Sequence, residues 1–171
     1  MISLIHQDVM RMYHYFGGGS AAIFRILVSR CFWAVFVTRL TTNKLPVVGF
    51  FVRFVSSIIL ANVYKIEVAS RTRIEGGLMF PHPNDIIIGA ISLGRNCTIL
   101  NSTTLGASVP DPGFDLTLRP EVGDNVTIGA GARVLGGIRL DNGVTVGANA
   151  VVLEDVAAMI TVAGVPAKPI H

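Results

Sequence analysis

Aliphatic residues recur every six positions through most of the chain. A sustained period of six is typical of a parallel β-helix, in which each hexad forms one short strand and one corner. Three hexads close one triangular coil of about 18 residues, so the repeats predict about five coils. The period-two alternation of a β-sandwich and the helical patterns of a βαβ sheet are both missing from this part. The inward row comprises Val68, Ile74, Phe80 and Ile86, then, after a one-residue slip, Leu93, Ile99, Leu105, Val122, Ile128, Val134, Leu140, Val146 and Val152.

The hexad frame is interrupted once at length, between Leu105 and Val122, where the separation exceeds one hexad by 11 residues. The interruption contains Pro110, Pro112 and Gly113, residues that favour turns. We therefore predict an extended loop at residues 107–120 that leaves the β-helix. A loop held by a rigid scaffold is a usual position for a binding lid, and an insertion without function is the alternative.

The N-terminal third lacks the six-residue period and contains apolar helical stretches separated by turn residues. Glycine and serine at residues 17–20 form the first predicted break, and polar residues with a proline at 41–46 form the second. We predict a small N-terminal helical domain at residues 1–63, followed by a β-helix domain at 64–171. The predicted helices lie near residues 3–15, 20–40 and 46–61.

The second and third predicted helices are apolar enough to raise the question of a membrane. A spanning helix needs about 20 mostly apolar residues, whereas Arg25, Arg30 and Arg39 interrupt the second helix and Arg53 lies in the middle of the third. Because an arginine at the bilayer centre is costly, we do not predict a spanning helix. Two interpretations stay open: the helices are buried in an oligomer, or they make a peripheral contact with a membrane surface.

Composition excludes several classes of protein. Hydrophobic residues make up 51% of the chain and charged residues 15%, with a mean hydropathy of +0.59, which excludes a disordered chain. The net charge of +3 is spread without a basic run, so we predict no nucleic-acid partner. Two cysteines, Cys31 and Cys97, cannot form a disulfide framework or a zinc cage, and no cleavable export signal precedes them; we expect a cytoplasmic protein.

Histidine is the main candidate for catalysis. Of four histidines only His82 lies within the repeat, which excludes the three-histidine zinc site of β-helical carbonic anhydrases, so we predict no metal. Pro81 and Pro83 flank His82 and place its ring at a corner, where it can act as a general base toward a hydroxyl. Glu67, 15 residues earlier, can orient the ring from the neighbouring coil, and Asp85 is the competing local partner. A surface histidine without function is the alternative.

Four segments of the chain resemble the serine acetyltransferase branch of the hexapeptide-repeat acyltransferases. They read IEVASRTRIEGGLMFPHP at 66–83, TLGAS at 104–108, VGDNVTIGAGARVLGGIRL at 122–140 and AGVPAKPI at 163–170. The resemblance covers nearly the entire chain. It implies a mainly β protein, a left-handed parallel β-helix that forms a homotrimer, with trimers in some members paired through the helical domain. It also implies acetyl-CoA as co-substrate, bound in the groove between neighbouring subunits.

The resemblance also assigns roles to individual residues. It makes His82 the general base and Glu67, usually an aspartate in the family, the partner carboxylate. The amides of Gly106 and Ala107 would face the thioester and stabilise an oxyanion. The residues implied for CoA binding are Gly129, Ala130, Gly147 and Ala148 along the pantetheine arm, and Lys168 with Arg133 or Arg139 at the phosphates.

The acceptor side departs from the pattern of serine-specific members. Two acids of those members are replaced by Pro81 and Phe16, and their Arg-His pair corresponds to Leu118 and Arg119. Arg119 and Asp85 remain as candidates for binding the acceptor. A glutamate at the orienting position, combined with an altered pocket, resembles the exopolysaccharide O-acetyltransferases of the colanic-acid type, which acetylate sugars at the inner membrane.

We therefore predict an acetyl-CoA-dependent O-acetyltransferase that acetylates a sugar hydroxyl of an exopolysaccharide or its precursor. The alternative keeps the chemistry but takes L-serine as acceptor, for cysteine biosynthesis. A third hypothesis is a trimeric scaffold without turnover. We expect direct attack on the thioester rather than an acyl-enzyme, because Cys97 occupies an inward position and Cys31 lies outside the repeat.

Overall fold

The N-terminal part of the protein is helical. The computed structural model describes residues 1–42 and 47–170, so the predicted turn residues Asn43, Lys44 and Pro46 lie outside the described residues. The helices predicted near 3–15 and 46–61 are confirmed within about two residues, and a π-helical turn extends the latter. The elements are α1 Ile2–Tyr15, α2 Gly19–Val28, α3 Arg30–Thr41, α4 Val47–Ile59 and the π turn Leu60–Tyr64.

The single helix predicted at residues 20–40 is wrong, because the chain breaks at Ser29. Ser29 has an extended backbone (φ −78°, ψ 136°), and its hydroxyl accepts a hydrogen bond from the amide of Phe32 at 3.1 Å, which caps α3. The axes of α2 and α3 differ by 62°. Among the described helices no single one is long and apolar enough to cross a membrane, and only this bent pair meets the criteria of length and composition together.

Residues 66–170 form the parallel β-helix that the hexads predict, with the left-handed sense that the family resemblance implies. Its described strands form three sheets, with the orders β1-β3-β6-β9-β12, β2-β4-β7-β10 and β5-β8-β11-β13-β14. Pairing is parallel except between β13 and β14. The strands are β1 Ile66–Val68, β2 Arg73–Ile74, β3 Ile86–Ile88, β4 Ser92–Leu93, β5 Thr98–Ile99, β6 Thr104–Gly106, β7 Glu121–Val122, β8 Thr127–Ile128, β9 Arg133–Leu135, β10 Arg139–Leu140, β11 Thr145–Val146, β12 Val151–Val152, β13 Thr161–Ala163 and β14 Lys168–Ile170.

The inward aliphatic row forms the core of the β-helix. Ile128 pairs with Val146, one 18-residue coil later, and both are buried. Leu93 pairs with Val122, 29 residues later, because residues 107–120 leave the coil between β6 and β7. A short 3₁₀ helix, Leu116–Leu118, lies in this loop. The stacked coils hold the ends of successive strands in rows, which positions the candidate site residues described below.

The predicted frame is wrong at one position. Ile88, and not Ile86, continues the inward row after Phe80. Val68 pairs with Ile88, 20 residues later instead of 18, so the intervening corner contains two extra residues. Ile86 is buried as well, at the start of β3. The enlarged corner, residues 81–85, carries His82 outside the core.

A buried ion pair joins the helices to the first coil of the β-helix. Asp8 of α1 and Arg39 of α3 are 2.8 Å apart, and their side chains are 3% and 2% exposed. The Asp8 carboxylate also accepts hydrogen bonds from the amides of Gly77 and Leu78, at 2.8 and 2.9 Å. Arg39 donates to two carbonyls at the end of β2, at 2.7 and 2.6 Å. This network fixes the position of the helical part on the β-helix, because breaking it would leave buried charges unpaired.

Candidate functional site

His82 lies at the enlarged corner that precedes β3. The amide of Asp85 donates to the carbonyl of Tyr64 at 3.3 Å, which ties this corner to the chain just before β1. Asp85 itself has a left-handed backbone (φ 56°) and an exposed side chain. The His82 side chain is exposed, and within the described residues no hydrogen bond or ion pair engages it. The imidazole is therefore accessible to a substrate.

Glu67 is the central residue of β1 and pairs in register with Ile87 of β3. Glu67 and His82 thus lie on neighbouring coils, and both side chains are exposed. Glu67 also lines a cavity of about 320 Å³ together with Ser57 and Asn62. In the described part of the chain no hydrogen bond joins Glu67 to His82, so the orienting role of Glu67 stays a prediction.

Gly106 and Ala107 lie where β6 ends and the 107–120 loop begins. A Cβ added at Gly106 would meet no atom within 4 Å apart from its chain neighbours. Open space therefore adjoins this glycine, although the residue is buried. The carbonyl of Gly106 accepts a hydrogen bond from the amide of Gly136 at 2.9 Å, which fixes the strand end against the next coil. The structure therefore has room for a substrate group beside the predicted oxyanion residues.

Two glycine-alanine corners lie one above the other on consecutive coils. Gly129 and Ala130 follow β8, and Gly147 and Ala148 follow β11. A Cβ on Gly129 would lie 2.6 Å from the amide nitrogen of Ala148, and one on Gly147 would lie 3.0 Å from the Cβ of Ala163. Close stacking of the coils is thus enough to require glycine at residue 129, whereas a side chain at 147 would need a small shift of Ala163. Their contact with the pantetheine arm stays a prediction.

The three basic residues predicted to bind phosphate differ in their surroundings. Arg139 is exposed and lies 2.7 Å from Asp141. Arg133 donates through Nη1 to the carbonyl of Ser102 and, at 3.3 Å, to those of Gly131 and Ala132. Lys168 on β14 is 62% exposed and lies 3.5 Å from Glu154. Lys168 therefore keeps its charge accessible, whereas Arg133 is held against the backbone.

Arg119, predicted to bind the acceptor, lies at the end of the 107–120 loop and contacts that loop. Its Nη2 is 2.7 Å from Oδ2 of Asp111, and its Nη1 donates to the carbonyl of Gly89 at 3.0 Å. The guanidinium also lies 4.1 Å from the ring centre of Phe114. Asp111 and Phe114 were not predicted as partners of Arg119, although two opposite charges eight residues apart in one loop were the signal for such a contact.

The two cysteines are buried and unsuited to act as nucleophiles. Burial raises the pKa of Cys31 and of Cys97 to about 11, so both thiols are protonated near neutral pH. A covalent acyl-cysteine step therefore has no support. Among the described residues, no group of three or more histidine, cysteine, aspartate or glutamate side chains is arranged to hold a metal ion.

Comparisons with known proteins match both the repeat and the whole fold. Residues 119–154 match the family model described as bacterial transferase hexapeptide (six repeats). A serine acetyltransferase of Buchnera aphidicola subsp. Schizaphis graminum is 37% identical over 110 residues, which is 64% of this chain and 41% of the relative. The Neisseria gonorrhoeae serine acetyltransferase in complex with serine gives a TM-score of 0.81 at 29% identity, over 98% of this chain and 68% of that one. A serine acetyltransferase in complex with CoA gives 0.81 at 26% identity, over 99% and 69%.

These findings confirm the resemblance to the serine acetyltransferase branch and correct the predicted acceptor. The chain spans about two fifths of the length of the curated relative it matches. The prediction of a saccharide acceptor is wrong, because the matched sequences and structures are serine acetyltransferases, which supports the alternative with serine. The departures at Phe16, Pro81 and Arg119 led to the error: a missing ligand residue removes one contact without specifying a different substrate.

Proposed function

We propose that this protein is a serine O-acetyltransferase, which converts acetyl-CoA and L-serine into CoA and O-acetyl-L-serine. The observation that carries the proposal is the structural likeness to serine acetyltransferases, which extends over 98–99% of this chain and includes the helices. Within that fold His82 occupies an exposed corner beside β1, where a small acceptor can reach it. A serine acceptor also needs no opening of the core, because the candidate site lies on the outside of the β-helix.

In the proposed mechanism His82 is first a general base and then a general acid. Its imidazole accepts the proton of the serine hydroxyl, and the hydroxyl oxygen forms a bond to the thioester carbonyl carbon. The amide of Ala107 donates a hydrogen bond to the oxyanion of the tetrahedral intermediate, because the register of β6 and β9 directs the Gly106 amide into the sheet. The carbon–sulfur bond then breaks, and the imidazolium returns its proton to the CoA thiolate. Asp85, exposed in the same corner as His82, is our candidate for the serine ammonium group.

We place acetyl-CoA along the outside of the coils, from the open space beside Gly106 toward the glycine-alanine corners at Gly129 and Gly147. Small residues at both corners leave the backbone accessible to an extended chain. The exposed ammonium group of Lys168 is the most accessible partner for the CoA phosphates, and Arg133 is the second candidate.

The proposed function predicts acceptor-dependent release of thiol from acetyl-CoA. We expect the purified protein to release CoA with L-serine but not with O-methyl-L-serine, which keeps the ammonium and carboxylate groups and lacks the reactive hydroxyl. Thiol release can be followed continuously with a disulfide reagent. Equal release with both amino acids, or release only with an oligosaccharide, would contradict a serine acceptor.

We further propose that the active assembly is a homotrimer that covers the apolar surface of the helices. Phe24, Phe50 and Phe51 are 68%, 68% and 69% exposed in the single chain. An apolar surface of this kind is typical of an interface. Three-fold symmetry about an axis along the β-helix brings the helical parts of three copies to the same end, where they can cover one another.

Light scattering of the full chain tests the proposed assembly. We expect a mass three times the 18.3 kDa chain mass. The double variant that combines Phe50→Ser and Phe51→Ser should have a lower mass at micromolar protein concentration. A monomer that sediments with phosphatidylglycerol vesicles would instead favour the membrane interpretation of the helices. Leu153 is exposed on the β-helix, and Leu153→Ser is the matched control. This variant should leave the mass unchanged.

A further inference from the structure

Arg119 closes the 107–120 loop on itself. Its Nε and Nη2 donate to Oδ2 of Asp111 at 2.9 and 2.7 Å, and Nη2 also donates to the Asp111 carbonyl at 3.1 Å. The two side chains are only 12% and 5% exposed, unlike the surface ion pairs of this protein. Charge-assisted bonds that are shielded from water are the strong ones. The pair therefore holds the beginning and the end of the loop together.

Two further contacts stiffen this closed loop. The guanidinium lies 4.1 Å from the ring centre of Phe114, within the range of a cation–π interaction. Phe114 has a backbone φ of 54°, a conformation that a bulky residue keeps only where its surroundings hold it. The amide of Asp115 and the guanidinium of Arg119 lower the pKa of Asp111, so this carboxylate stays ionised at neutral pH.

Arg119 also attaches the loop to the β-helix at the candidate site. Its Nη1 donates to the carbonyl of Gly89 at 3.0 Å, and a Cβ on Gly89 would lie 2.6 Å from that nitrogen. Gly89 follows β3, and its own amide donates to the carbonyl of Leu105, next to Gly106. The guanidinium thus lies against the strand ends where the thioester is expected.

A second attachment lies on the other side of Gly106. A Cβ on Gly137, which follows β9, would lie 1.9 Å from the carbonyl oxygen of Thr117 in the loop. The loop therefore packs directly on the backbone there, and only glycine leaves room for it. With Gly89 one coil earlier and Gly137 one coil later, the loop is attached on both sides of Gly106, and the space beside Gly106 itself stays open.

We propose that Arg119 is a positioning residue, which locks the 107–120 loop against the strand ends and thereby sets the affinity for the acceptor. An arginine that binds an acceptor carboxylate uses two parallel N–H groups. Four hydrogen bonds already engage Arg119, whose guanidinium has five N–H groups in all. The locked loop, and not the guanidinium itself, then forms the acceptor side of the site. This inference rests on the proposed function.

Two variants displace the same loop by different means. Arg119→Lys keeps the charge but removes the planar fork that holds Asp111 and Gly89 together. Gly137→Ala keeps Arg119 but places a methyl group where the Thr117 carbonyl lies. We expect both to raise the KM for L-serine about tenfold or more, with kcat and the KM for acetyl-CoA changed less than about threefold. Arg95→Lys makes the same change at an exposed arginine outside the loop and the proposed binding residues, and it is the matched control without effect.

Amide hydrogen exchange of the full chain reports the lock independently of turnover. Faster exchange in residues 109–118 of both variants, with unchanged exchange at Ala107 and in β8 and β11, is expected if the loop is released while the strand ends stay in place. Unchanged loop exchange would overturn the lock, and faster exchange with an unchanged serine KM would overturn its effect on the acceptor. A raised KM in Arg119→Lys but not in Gly137→Ala would show that Arg119 binds the acceptor directly. Failure of the wild-type protein to acetylate serine would instead overturn the proposed function.

Discussion

Replacing His82 with alanine is expected to lower kcat for serine acetylation by about 10²- to 10⁴-fold, the usual contribution of a general base. The KM values should change much less, because the imidazole acts on the proton that moves in the transition state. The fold should persist, since the side chain is exposed at a corner. Steady-state rates of thiol release, measured beside a thermal unfolding curve, check both statements.

The control for this experiment is His6→Ala, which makes the same change at an exposed histidine of α1. It should retain wild-type turnover. Glu67→Gln tests the partner carboxylate separately: if Glu67 orients His82, turnover falls and Glu67→Asp recovers most of it, because aspartate keeps the charge. Turnover by His82→Ala within threefold of the wild type would contradict the mechanism.

Removing the Asp8 carboxylate is expected to cost about 3–5 kcal/mol of unfolding free energy, the typical effect of breaking a buried ion pair. Asp8→Ala leaves the Arg39 guanidinium buried without its carboxylate, and it leaves the amides of Gly77 and Leu78 without their acceptor. Urea unfolding at a fixed protomer concentration measures the change, because assembly contributes to apparent stability.

Glu154→Ala provides the comparison for Asp8→Ala. It also removes a carboxylate from an ion pair, but Glu154 and Lys168 are 81% and 62% exposed. We expect a loss of at most about 1 kcal/mol. A loss below about 1 kcal/mol for Asp8→Ala would contradict the structural role of the buried network.

The β-helix could be predicted from the sequence because its core repeats a local pattern. Each inward residue, such as Val134 or Val146, is specified by its spacing from the previous one, so no knowledge of distant contacts is needed. The break at Ser29 was within reach, since a serine inside an apolar run is a candidate N-cap. The apolar residues on both sides hid it by continuing the helical pattern.

The contacts between distant parts of the chain could not be predicted. Asp8 and Arg39 are 31 residues apart on different helices, and nothing in the spacing shows that they meet above β2. His82 was a candidate from its place in the repeat, and the strand end at Gly106 was identified through the family resemblance. The partners of Arg119 became evident only in the structure. Long polar side chains reach over several turns, and their direction depends on packing that a local pattern does not contain.

The most direct measurement is the identification of the product formed from acetyl-CoA and L-serine. We expect O-acetyl-L-serine, detected by mass spectrometry in amounts equal to the CoA released and lost in His82→Ala. CoA release by the wild-type protein without O-acetyl-L-serine would overturn the serine acceptor, and the same yield of O-acetyl-L-serine from His82→Ala would overturn the role of His82.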